Sequence, residues 1–405
     1  MNKDLERAVQ NLRNAGAKYR RYERYYRGEH DLSFATEKFQ TAFGSLFREF
    51  AMNLCPAIVD AVKDKLRVER FGVQQTTPSA EAASTPPFEG GELLRGALTD
   101  VRATDTDLHL AIERIWRRNR MGMRAGEVHK EALRCGDAYA VVWYDPKGDV
   151  TIYPQRADQV TVEYDDESPG RIAWAAKWWR SGDKRTRLNM YYADRIEKYV
   201  AENRTDGFLP DAEAFAPLSS SRFKVQGSRL EKDDSQAGMP AVQSVLDNPF
   251  GVVPVFHFAN NSDVGTFGQS ELVGAIPIQD GLNKSILDML VAMEFSAFRQ
   301  RWIAGLELDT DPVTGKAKAP FMHGVERLWV AASPDTKFGD FNTSNLDQFL
   351  KVKDGFRIDM ASVTGTPLHY FLQNTRGFAS GEALRKNETR FLAKVRDRLA
   401  RYGRT

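Results

Sequence analysis

The order of apolar and polar positions along the chain predicts helices at both ends and a sheet between them. From residue 3 to 27, Leu5, Val9, Leu12, Tyr19, Tyr22 and Tyr26 recur at three- and four-residue steps among Arg and Lys. That spacing predicts a helix, stopped at Gly28. A second helix is predicted over about 46–66, "LFREFAMNLCPAIVDAVKDKL", with Pro56 as a kink or restart. "VQQTTPSAEAASTPPFEGGE" follows, too poor in large apolar residues to build core, and reads as a surface loop. Helices come next at about 106–119 and 125–135. From Ala138 the period shortens to two. "AYAVVWYD", "VTIYP", "QVTVEYD", "RIAWAAKWWR", "RLNMYYAD" and "RIEKYVAE" predict one antiparallel sheet of about six strands, separated by turn signals such as D-P-K-G and S-P-G. Residues 203–250 read as irregular and polar, and "VVPVFHFA" as one more buried strand.

The helix predicted over 270–298 is unusual. On a wheel of about 100° per residue, Leu272, Ile276, Leu282, Ile286, Leu287, Met289, Leu290, Met293, Ala297 and Phe298 occupy well over half the circumference. Its polar sector is narrow, around Ser285, Asp288 and Arg299 with Lys284 at its edge. Two readings are open. The helix is either the core of a monomer or wedged between neighbouring subunits with one polar side facing a channel. In the second case Gln279, Asn283 and Glu294 would find partners across interfaces. After it, "RWIAGLELD" and "RLWVAA" predict two strands around a turn, and residues 345–362 a helix. "TGTPLHYFLQNTRGFAS" reads as a loop, and a last helix follows with Ser380 as its N-cap and Glu382 in its first turn. The class is α+β.

Composition narrows the functions. A length of 405 residues suggests two or three domains, or one with large insertions, and 42% apolar content suffices for a sizeable core. A net charge of +2 argues against a protein that grips nucleic acid through a strong overall positive field. The two cysteines, Cys55 and Cys135, form no CxxC pair and suit buried positions in a reducing compartment. The polar, periodic N-terminus is no signal peptide, and no apolar run approaches the roughly 18 residues of a membrane span.

Catalytic patterns are missing from the sequence. "VTGKAK" fails the phosphate-loop pattern at Thr310 and Ala317, and no GxGxxG, GxSxG or HExxH exists. Asp309 and Asp311 could contribute to a Mg²⁺ site, but a Pro/Gly turn without a third ligand favours solvated acids. "EYDDE" at 163–167 reads as surface charge and His369 as a structural or surface residue. Charge is uneven: residues 376–405 hold nine Arg/Lys against three Asp/Glu, and residues 1–30 eight against four. Most of these suit solvated helix faces. Arg376 differs, in a Gly-flanked loop with Gln373 and Asn374, all able to reach phosphate oxygens.

An ordered set of stretches resembles the portal proteins of tailed double-stranded DNA bacteriophages of the long-tailed type. They are "YRRYERYYRGEHDL", "NLCPAIVDAVKDKLRVERF", "HKEALRCGDAYAVVW", "VVPVFHFANN", "FGQSELVGAIPIQDGLNKSILDMLVAMEFSAFRQRWIAG" and "VTGTPLHYFLQNTRGFASGEALR". Together they span most of the chain, and their order carries the resemblance more than any single motif. It implies a ring, usually of twelve subunits, at one capsid vertex. By position it implies a wing over 1–269, a stem helix over 270–298, a clip over 299–340, a second stem helix over 341–363, a tunnel loop over 364–380 and a C-terminal wing helix over 381–405. The crown of the family is expected to be short or missing.

What the resemblance implies for function is a conduit for DNA packaging and ejection, with no bond-breaking chemistry, cofactor, metal or membrane. Gln373, Asn374 and Arg376 are the expected DNA contacts of the tunnel, and Lys284 and Asp288 the expected channel lining of the stem. Trp302 and Trp329 are expected to meet the terminase large subunit and later a head–tail connector. Other expected partners are double-stranded DNA and the major capsid and scaffolding proteins. The expected location is the portal vertex of the virion, after synthesis in the bacterial cytoplasm. The alternatives are a metal-dependent DNA-processing enzyme using Asp309 and Asp311, or another head–tail adaptor.

Overall fold

The structure is a computed structural model. It describes residues 2–31, 52–68, 105–145, 147–168, 170–204, 207–218, 223–226, 229–232, 244–263, 267–297, 301–305, 335–340, 347–372, 381–403 and 405. The chain divides into two compact units. One comprises residues 1–31, 52–279 and 358–405, and the other residues 32–51 and 280–357.

The first unit opens with α1 (Lys3–Arg27). Asn2 caps it by accepting from the Asp4 N–H, and Gly28 ends it at φ 84°, where a side chain would be strained. Among the described residues, α2 (Cys55–Lys63) and α3 (Asp105–Arg118) precede α4 (Met121–Cys135). Among the described residues the strands that follow are β1 (Asp137–Tyr144), β2 (Val150–Gln155), β3 (Val160–Tyr164), β4 (Ile172–Arg180), β5 (Arg185–Tyr191), β6 (Arg195–Glu202), β7 (Ala216–Pro217), β8 (Phe223–Gln226), β9 (Arg229–Lys232), β10 (Val245–Asp247) and β11 (Val255–Ala259).

These strands do not make one sheet. β1 pairs with β2 and with β11 in a three-stranded sheet, β3, β4, β5, β6 and β10 form a second with β7 on β6, and β8 pairs with β9 in a two-stranded third. The six strands expected in a single sheet are thus divided between the first two, and the reason is burial. Tyr139, Val141 and Val255 of the first sheet pack against Val160, Val162, Ala175, Tyr191 and Ile196 of the second. The opposite face of the second sheet, with Trp174, Leu188, Met190 and Ala201, takes Leu5, Ala8, Val9 and Leu12 of α1. A sheet sandwiched on both faces explains why β4 reads "WAA" at its centre rather than as strict alternation. The segment read as irregular, 203–250, also holds β7 to β10. They are too short for their pattern to show.

A third core joins Tyr19, Tyr22 and Tyr25 of α1 to α2, α4 and the ends of three later helices. The later helices are α5 (Ala275–Ala297), α6 (Asp347–Thr364) and α7 (Gly381–Tyr402). Leu272, Ala275, Ile276, Met360, Phe391 and Val395 all reach this core. The two cysteines are free and buried, and both belong to this cluster.

The boundary between the units falls inside α5, after Gln279, and inside α6, before Ile358. In the second unit β12 (Arg301–Ala304) pairs antiparallel with β13 (Lys337–Asp340), Trp302 opposite Gly339. The partner strand expected for "RWIAGLELD", "RLWVAA", lies outside the described residues. The described partner is instead "KFGD".

Candidate functional site

The start of α5 is built from polar groups that no sequence motif announced. Asp137, fully buried at the first position of β1, accepts from three donors: the Tyr19 hydroxyl at 2.7 Å, His257 Nε2 at 2.8 Å and the Gly268 N–H at 2.6 Å. His257 Nδ1 meets the Tyr164 hydroxyl at 2.7 Å, so the imidazole bridges an acid and a phenol inside the fold. Burial pushes the Tyr19 hydroxyl far above its ordinary range and keeps it a donor. The Gly268 backbone comes so close that a Cβ there would lie 1.9 Å from the Gly136 carbonyl.

One turn later Glu271 anchors the last helix. Its carboxylate lies 2.6 Å from Lys394 Nζ and 2.9 Å from Arg398, and it also accepts from Asn260. Burial raises the Glu271 carboxyl, but the two cations and their hydrogen bonds outweigh this and hold it below the ordinary carboxylate range. Asn260 accepts from the Tyr402 hydroxyl at 3.0 Å and donates to the Gln269 carbonyl at 2.7 Å. The chain entering α5 is therefore tied to α1, α4, β11 and α7. "CGDAY" and "FGQSE" carried the glycines that signal this close approach, but their partners are more than a hundred residues apart.

Gln279 corrects one expectation. Its amide is satisfied inside the chain, accepting from the Leu54 N–H at 2.9 Å and donating to the Met52 carbonyl at 2.6 Å. These are the backbone groups just before α2, which has no side-chain cap of its own. Asn283 is likewise buried within the chain, at 3% exposure. The Glu294 side chain lies outside the described residues.

Where α5 and α6 meet, they approach closely. In the first unit a Cβ on Gly274 would lie 2.8 Å from Val363, and in the second a Cβ on Gly281 would lie 2.9 Å from the Phe356 ring. Lys284 and Asp288 are half exposed on α5 and pair with each other at 2.9 Å, an i,i+4 contact. α6 leaves four large apolar side chains 47–56% exposed, Leu350 and Ile358 on one flank and Val352 and Val363 on the other, with exposed polar residues such as Lys351, Asp354 and Asp359 among them. Val273 and Met293 on the α5 segment are similarly exposed.

The expected DNA contacts, Gln373, Asn374 and Arg376, lie outside the described residues, as do Trp329, Asp309, Asp311 and Ser380. For Trp302 the described feature is its backbone place in β12. The chain leading towards residue 373 is fixed at its root. Lys394 Nζ donates to the Thr364 carbonyl at 2.8 Å, His369 faces Glu388 at 3.5 Å, and Phe371 is buried. Among the described residues no group of three or more His, Cys, Asp or Glu is placed to hold a metal ion, and no helix is long and apolar enough to cross a membrane.

The model of the phage portal protein family, SPP1 Gp6-like, matches residues 94–404. The portal protein of Mycobacterium phage D29 is 27% identical over 185 residues, 45% of this chain and 36% of that protein. The portal protein of Mycobacterium phage L5 is 27% identical over 158 residues, 38% of this chain and 32% of that protein. The matched segments thus span about a third of the length of these curated relatives. A chain in the neck of an empty GTA particle aligns with a TM-score of 0.34 and 14% identity, over 68% of this chain and 65% of that one.

Proposed function

Since the chain belongs to the SPP1 Gp6-like family of phage portal proteins, we propose that it assembles into a ring at the portal vertex of a capsid and there forms the channel for DNA. The observation that carries the ring is the exposed apolar side chains on both flanks of α6. A monomer in water gains nothing from leaving Leu350, Val352, Ile358 and Val363 half exposed on one helix, and a helix with a neighbour on either side, as in a ring, would cover both flanks. Covering the exposed half of each would contribute on the order of 1 kcal/mol per side chain at every interface.

In this reading α5 and α6 form the stem, β12 and β13 belong to the clip, and residues 1–269 with α7 form the wing. The chain breaks no bonds, and its task is to hold a channel of defined shape. Lys284 and Asp288 present paired, opposite charges to the channel, which suits sliding because strong phosphate contacts would trap DNA. Gln373, Asn374 and Arg376 form the tunnel loop. The clip, around Trp302 and Trp329, meets the terminase large subunit and then a head–tail connector, while the wing meets capsid and scaffolding proteins.

Native mass spectrometry of the purified chain tests the reading. Rings of about a dozen subunits are expected, and Leu350→Asp with Ile358→Asp should abolish them while leaving the far-ultraviolet spectrum unchanged. Monomers alone at high concentration, or rings indifferent to both substitutions, would overturn it. Mg²⁺-dependent cleavage of plasmid DNA would point instead to an enzyme.

A further inference from the structure

The second sheet carries unlike charges at its two ends. Direct cross-strand partners share a face. The register Lys177↔Asn189↔Lys198 therefore places two lysines on either side of Asn189, and the next rung is Trp179↔Arg187↔Val200. Two strand spacings put the lysine Cα atoms about 10 Å apart. This face is the one that packs on the three-stranded sheet further along, but here its side chains are only half buried. Arg187 faces Asp183 at 3.2 Å, and Lys177 Nζ sits 5.1 Å from the Trp179 ring centroid. Among the described residues neither lysine has a carboxylate in ion-pair range. Burial lowers both ammonium groups, and Arg187 adds to the effect at Lys198. Two partly desolvated cations side by side are unfavourable until an anion covers them.

At the other end of the sheet the β3–β4 turn holds Asp165, Asp166 and Glu167. The last two are exposed, and Asp165 accepts from the Glu167 N–H. Among the described residues no Lys or Arg is paired with this turn. At about 3.3 Å per residue, the turn and the lysine row are roughly 20 Å apart. A contact that joins two different patches of identical subunits is heterologous, and repeated about an axis it closes a ring.

We propose that the Lys177–Lys198–Arg187 face of one subunit receives the Asp165–Glu167 turn of the next. The proposal rests on the ring reading above and names a charged contact in the wing, separate from the exposed apolar side chains of α6. A second copy fits better than duplex DNA. Two lysines without a carboxylate partner among the described residues, beside an Arg187 already held by Asp183, face three carboxylates, whereas proteins that grip a duplex neutralise on the order of 6–10 phosphates. Trp179 and Val200 give the face an apolar floor, so the carboxylates would be held where water is partly excluded and the contact strengthened.

The test uses two full-length variants, K177E/K198E and D165K/D166K/E167K. Each reverses one side of the contact and leaves the other side intact. By native mass spectrometry each alone should need at least about tenfold more protein to form rings than the wild type. Mixed in equal amounts they should restore rings of alternating subunits, because every contact then joins opposite charges. A misfolded variant would not be rescued by mixing. Wild-type rings with variants that assemble as well as wild type would overturn this proposal alone, and so would failure of the mixture. Loss of duplex binding in a gel shift by K177E/K198E, with rings unchanged, would assign the face to DNA instead. A wild type that never forms rings would overturn both readings.

Discussion

Replacing Glu271 by Gln should cost the first unit about 3 kcal/mol of unfolding free energy, and replacing it by Ala up to about 5 kcal/mol. The magnitude follows from burial. Side-chain exposure is 8% for Glu271, 14% for Lys394 and 7% for Arg398. Removing the acid leaves two cations in an interior that cannot solvate them, and breaking a buried pair in this way costs about 3–5 kcal/mol. Gln keeps the shape and one acceptor for Asn260 and Arg398, which places it at the lower end. The pair itself is not what the fold needs most. A triple variant, Glu271→Leu with Lys394→Met and Arg398→Met, should recover most of the loss, since apolar replacement of a whole buried cluster is close to neutral. The pH dependence has a definite sign. The folded carboxyl lies below its unfolded value, so the stabilisation is complete above the unfolded value and disappears as pH falls through the folded one. Urea denaturation followed by tryptophan fluorescence, repeated between pH 3 and pH 8, reads all of this. A Glu271→Gln loss below about 1 kcal/mol at neutral pH, or a loss that grows as the solution is acidified, would refute the reasoning.

Three further outcomes are expected. Burial holds the His129 imidazole down at about 4, and its ring stacks on Tyr402 at 5.3 Å. Between pH 6.5 and 4 the unfolded chain therefore takes up a proton that the folded one refuses, costing up to about 3 kcal/mol. A His129→Phe variant should lack that slope in denaturant titrations. Gly268→Ala should prevent folding of the first unit, or cost more than about 3 kcal/mol, because its Cβ meets the Gly136 and Asn260 backbones rather than a side chain that could move. Protein yield and circular dichroism will show it. Arg376→Glu should leave ring assembly intact in native mass spectrometry while reducing DNA packaged in an in vitro assay. Loss of rings instead would give that loop a structural role.

Several elements were legible because their determinants are local. The α1 stripe from Leu5 to Tyr22, its stop at Gly28 and the alternation of β5 can be read within twenty residues. Even the local reading slipped by one place where two tyrosines adjoin. Tyr25, not Tyr26, is fully buried, while the Tyr26 hydroxyl bonds Asp60. The polar hub was not legible, because Asp137 owes its role to Tyr19, His257 and Gly268, which only the fold brings together.

The sequence by itself determined the class of structure, the order of helices and strands, and the absence of a familiar catalytic motif, because period and turn chemistry act over a few residues. Only the tertiary structure decided that the strands part into two sheets and that Gln279 serves its own chain. It also decided that Lys177 and Lys198 stand on one face, with no carboxylate in ion-pair range among the described residues. Each of these depends on which surfaces are buried together. Burial is a property of the packed chain, and residues far apart in the sequence supply both sides of it.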